Sequence, residues 1–95
     1  MADELPHVVW DDENLRHLLV ERAHREISCQ EVEDVLQDSQ TTKEAARAGR
    51  RLAIGRTKAG RPLAVVFVGE LEARPHTAWQ VSEARWRRAH GETGE

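Results

Sequence analysis

Ninety-five residues leave room for one domain, which at this length buries only about 60–65% of the surface its unfolded chain exposes. Apolar side chains make up 39% and charged ones 33%, enough for one modest core under a wetted exterior; a low-complexity or collagen-like chain is excluded, and so is a transmembrane helix, since the longest apolar run is Leu63 to Val68. A formal net charge of -3 argues against a dedicated duplex-DNA binder, whose domain is strongly basic.

His7-Val8-Val9-Trp10 is a short β-prone run that stops at Asp11-Asp12-Glu13-Asn14, where Asp11 or Asp12 can cap a helix and the carboxylates face the positive end of its dipole. Leu15, Leu18, Leu19 and Ala23 then recur at helical spacing, predicting one amphipathic helix over residues 13–24. Ser28-Cys29-Gln30-Glu31 has the form of a capping box, and Val32, Val35 and Leu36 line one face of a second helix over about 29–37. Two helices so closely joined are expected to pack as a hairpin. From Asp38 to Gly49 the chain turns polar and small, a connection with at most one helical turn in Lys43 to Arg47.

After Gly49 the period becomes two. Leu52 and Ile54 alternate with Arg51, Ala53 and Gly55 as in a strand with one buried face. Thr57 to Arg61 is hairpin chemistry, with Gly60 able to take positive φ. Leu63 to Val68 is apolar on both faces, as in a central strand. Gly69-Glu70 makes a second turn, and residues 71–81 form a third strand in which Pro75 marks an edge or an interruption. Ser82-Glu83 caps a last helix through His90, and the tail from Gly91 is expected to fray. The expected fold is α+β, one domain over 1–95 with its ordered core about 6–90. A small antiparallel sheet of about four strands is packed by two or three helices, in the order β-α-α-β-β-β-α.

Charge is unevenly divided. Residues 1–42 hold three basic side chains against eleven acidic ones, and residues 43–95 hold eleven against six. That polarity fits two surfaces with different partners, one of them anionic, or two halves that neutralise each other on folding. The single Cys29 cannot form an internal disulfide, which fits the cytoplasm, and the acidic start without an apolar stretch reads as no signal peptide. No two histidines are spaced i, i+4, and no glycine-rich phosphate loop or serine nucleophile elbow occurs. Neither a metal nor a cofactor is expected.

Several ordered landmarks carry a resemblance. They are Trp10-Asp11-Asp12-Glu13-Asn14, Ile27-Ser28 with Glu31-Val32, Arg50 to Thr57 with Gly60-Arg61, Arg74 with Thr77-Ala78-Trp79, and Ser82 with Arg85, Arg87 and Arg88. In this order and spacing, from about Val9 to Arg88, the chain resembles the BrnT toxins, ribonuclease-like members of the RelE superfold in bacterial toxin–antitoxin pairs. The resemblance implies a metal-independent endoribonuclease that turns a ribose 2′-hydroxyl on the adjacent phosphate, and a cognate antitoxin protein that covers the active surface. By position it makes Arg51, Arg56 and Arg74 phosphate clamps and His24 the acid–base residue, with Arg51, Arg74 and His24 catalytic. Arginine suits the clamp because its fork reaches two phosphate oxygens and stays charged.

Around these, His76 shares a strand face with Arg74, and Arg85 and Arg88 form a basic patch on the last helix for RNA phosphates or an acidic antitoxin. Trp79 could stack on a base. In a regular strand Trp79 falls opposite Arg74, which makes it a packing residue unless Pro75 introduces a bulge. Trp10 and Trp86 read as packing residues. Where the family commonly has Lys-His-Gly, this chain has Ala23-His24-Arg25-Glu26. A non-hydrolytic module that binds protein or RNA is therefore the alternative, and a homodimer or a toxin–antitoxin hetero-oligomer is the expected assembly.

Overall fold

The β-prone, apolar segments in the second half of the chain build the centre of the molecule. In the computed structural model, which describes residues 6–38 and 41–91, β3 (Arg51–Arg56), β4 (Pro62–Val68) and β5 (Glu72–Gln80) form an antiparallel meander. Thr57 closes the first turn by donating from its amide to Arg61 O at 2.9 Å and accepting from Gly60 N at 2.9 Å. Gly60 sits at φ +93°, in the left-handed region the turn requires. Leu63, Ala64, Val65 and Phe67 of β4 are all buried, as expected of a strand covered on both faces.

The α+β class holds, but the sheet has five strands and is mixed. Its order is β1-β5-β4-β3-β2, with β1 (His7–Val8) parallel to β5 and β2 (Thr42–Ala45) antiparallel to β3. β2 replaces the helical turn expected over Lys43 to Arg47. An isolated turn would leave its own amides and those along β3 unpaired, whereas a ladder to β3 satisfies both. An exposed edge strand needs no apolar face, so Thr42–Ala45 gives no alternation to read. The corner before it is tight: the Thr41 side chain lies against Gly55, where a Cβ would overlap it. Residues 39–40 of this connection, the acidic residues 1–5 and the tail beyond Gly91 lie outside the described residues.

The first helix also departs from the expected 13–24. α1 (Asp12–Arg16) is capped by Asp11, whose side chain accepts from Asn14 N at 2.9 Å while Asn14 Oδ1 accepts from Asp11 N at 2.8 Å. It then widens into a π turn over His17–Glu21, in which Arg22 N reaches back five residues to His17 O at 2.9 Å. A 3₁₀ turn (Ala23–Arg25) ends at Glu26, which takes φ 54°. α2 (Cys29–Leu36) starts at the expected Ser28–Glu31 box, and α3 (Glu83–Ala89) at Ser82. Rather than packing chiefly as a hairpin, α2 rests on β3, β4 and β5, and α1 with its π turn rests on β5.

Val32, Val35 and Leu36 of α2, with Val8, Leu18 and Ile27, meet the sheet face that carries Ala53, Leu63, Val65, Phe67, Ala73 and Ala78. α3 packs on β3 and β4 at the other face, where the Arg56 guanidinium lies 4.1 Å from the Trp86 ring centroid and binds both oxygens of Glu83 at 2.6 and 3.0 Å. No helix among the described residues is long and apolar enough to cross a membrane.

Candidate active site

Pro75 does interrupt the last strand. The β4–β5 register runs Val66↔Thr77 and then Phe67↔Pro75, so His76 is an extra residue without a partner across the ladder. The bulge reverses the alternation: Ala73 and Pro75 are buried before it and Ala78 after it. Trp79 consequently stands across from Ala64, on the face opposite the main core, and is only half-buried. It is not the core residue a regular strand would make it.

His76, thrown out by the bulge, stacks on His17, the first residue of the π turn, with ring centroids 5.6 Å apart and planes 18° from parallel. His17 Nδ1 in turn meets Glu21 Oε1 at 3.1 Å. The two rings border a cleft of ≈ 690 Å³ between α1 and the end of the sheet. Asp12, Glu13, Asn14, Arg16 and Glu21 form one wall of it, and Arg50, Val68, Arg74 and Pro75 the other. The His76 imidazole is held below its ordinary value by burial first, then by the charges of Arg50 and His17, with Glu13 opposing them.

The wall carrying α1 is pinned. Asn14 Nδ2 donates to Val9 O at 3.0 Å, Asp11 caps the helix, and Arg74 forms an ion pair with Asp11. Arg16 and Arg50, by contrast, make no side-chain hydrogen bond or ion pair with a described residue. They are the uncommitted cations of the cleft.

The candidates marked by sequence are dispersed. Arg74 and His76 line the cleft; His24, Arg51, Arg56, Trp79, Arg85 and Arg88 do not. His24 is exposed on the 3₁₀ turn, while its neighbour Arg25 reaches the sheet, donating to Thr77 Oγ1 at 3.1 Å and Ala78 O at 2.9 Å. Arg51 lies 5.8 Å from the Phe67 ring centroid and 3.8 Å from Glu70. Arg56 is engaged with Glu83 and Trp86, and Arg85 and Arg88 stand on α3.

His17, Arg16 and Arg50 escaped the sequence reading. A glutamate four residues after His17 was the one local sign of its role; the π turn that aims the ring and the bulge that brings His76 to it leave no mark in periodicity. Among the described residues no group of three or more histidine, cysteine or acidic side chains could hold a metal ion. Burial and the nearby Glu33 raise the half-buried Cys29 thiol, the reverse of what a nucleophilic thiolate needs. No family model, curated protein or solved structure matches the chain.

Proposed function

We propose that this chain is a BrnT-like toxin, a metal-independent endoribonuclease that works in the cleft between α1 and β5 and is restrained by a neutralising antitoxin protein. One observation carries the reading: two arginines that make no side-chain hydrogen bond or ion pair with a described residue, Arg16 and Arg50, border the same cleft as two histidines. Cleavage by 2′-hydroxyl attack needs cations on the phosphate oxygens, where negative charge gathers in the transition state, and groups that move protons at its two ends. Arginine supplies the first at any physiological pH. Arg74 is a third cation at the cleft, shared with Asp11.

The test is cleavage of a defined long RNA by the purified chain in EDTA, beside an Arg16→Ala, Arg50→Ala double variant. Fragments ending in 2′,3′-cyclic phosphate, reduced about 10²-fold or more in the variant, are the expected result. Intact RNA from folded protein would overturn the reading.

A second reading, a non-hydrolytic module that binds protein, draws on a different observation. Arg51, Arg56, Arg61 and Arg74 are each paired with a carboxylate of the chain itself. Charges committed in this way are less available to RNA. Recovery of a specific protein partner together with absence of RNA cleavage would favour it.

A further inference from the structure

We propose that His76 and His17 are the catalytic base and acid of this cleft, His76 taking the proton from the attacking ribose 2′-hydroxyl and His17 giving one to the departing 5′-oxygen. The assignment rests on the ribonuclease reading and names the two groups that reading requires. Two backbone irregularities, one in a helix and one in a strand, converge on this pair: the π turn begins at His17, and the bulge in β5 is His76 itself. Each is a local departure from regular hydrogen bonding, and such departures gather at functional sites because they re-aim a side chain. Here both re-aim an imidazole toward the same space. The 5.6 Å between ring centroids is wider than face-to-face contact, and both rings border the open cleft.

The surroundings divide the roles. The charged and titratable groups around His76 are Arg50, before β3, His17 on the π turn and Glu13 on α1. Burial and the first two hold His76 below its ordinary value, so its ring is neutral near pH 7 and free to accept a proton. His17 is joined through Nδ1 to the Glu21 carboxylate, which fixes the ring and leaves Nε2 facing the second proton transfer. Arg16, Asp12 and Arg74 complete the charged lining of the cleft.

In the step itself, the 2′-oxygen forms a bond to phosphorus as its proton passes to His76. The bond from phosphorus to the 5′-oxygen breaks, and that oxygen takes the proton of His17. The products are a 2′,3′-cyclic phosphate and a 5′-hydroxyl, and proton exchange with water resets the two rings.

Single-turnover cleavage by wild type, His76→Gln and His17→Gln across pH tests the assignment, with circular dichroism confirming that each variant folds. Each variant is expected to lose about 10²- to 10⁴-fold in rate, and the acid limb of the wild-type profile disappears in His76→Gln. A short oligonucleotide with one ribose and sulfur in place of its bridging 5′-oxygen needs no acid, because a thiolate leaves unaided. It is expected to restore His17→Gln and not His76→Gln, a split that a merely structural role would not produce. Variants within about threefold of an active wild type overturn the pair and leave the ribonuclease reading standing. Rescue of His76→Gln in place of His17→Gln overturns the division of roles. A wild type that cleaves neither substrate overturns both proposals.

Discussion

Arg61 ties together four parts of the chain. Its guanidinium donates to Gln80 Oε1 and Glu26 O at 2.7 Å, to Arg25 O at 2.9 Å and to Glu31 Oε2 at 3.0 Å. These bonds hold the left-handed turn at Glu26 against β5 and α2; against burial, which raises it, the Glu31 carboxyl is kept below its ordinary value by the Ser28 backbone amide and then by Arg61. Arg61→Ala leaves a carboxylate and two carbonyls without that donor and is expected to cost about 2 kcal/mol in chemical denaturation. Arg61→Lys is expected to recover little of it, since one ammonium cannot span the fork.

His76 sets a pH dependence of opposite origin. Because its folded value is lowered, the unfolded chain takes up the proton first as pH falls. The contribution of the neutral ring is complete above about pH 6.5 and declines below it, toward the lowered folded value. Wild type is therefore expected to lose more stability than His76→Gln between about pH 7.5 and about pH 5.5. Equal losses in the two proteins would contradict the lowered value.

At the scale of elements, signals spanning three or four residues were legible and those crossing the sheet were not. Ser28 with Glu31 and Ser82 before Glu83 mark their helix starts because a cap is satisfied within its own turn. Ser28→Ala is expected to cost about 1 kcal/mol in thermal or chemical melting, and Ser28→Gly only a few tenths. Gly60 was equally readable, since its turn is closed by its neighbours. β2 was hidden because a polar edge strand carries no period, and its pairing is decided by β3, about ten residues away. The switch of Trp79 to the outer face depends on one extra residue at His76, and the sequence offered only Pro75 as a hint. Arg74 and His76 reached the cleft on which the ribonuclease reading turns, whereas His17 and Arg50 could be found only from how α1 and its π turn pack beside the sheet.

Across the whole molecule the charge polarity of the sequence is resolved in two ways. Part of it is cancelled between the two halves, through Arg61–Glu31 and Arg74–Asp11. Among the described residues, Arg16 and Arg50 in the cleft and Arg85 and Arg88 on α3 are among the cations with no side-chain hydrogen bond or ion pair, and Arg87 lies close enough to Glu83 to help lower its carboxyl after Arg56. If α3 guides the RNA backbone, replacing Arg85, Arg87 and Arg88 by alanine lowers the log–log salt slope of single-stranded RNA binding by roughly 2, at about 0.7 per phosphate contact. An unchanged slope in fluorescence anisotropy would remove α3 from the RNA path.

In the proposed function, the cleft between α1 and β5 is where this chain meets RNA. Titrating the isotopically labelled protein with an uncleavable 2′-O-methyl dinucleotide, followed by backbone and imidazole NMR shifts, tests it most directly. The largest changes are expected at Arg16, His17, Arg50 and His76. Shifts confined to α3 and Trp86, or none at millimolar ligand, would contradict it.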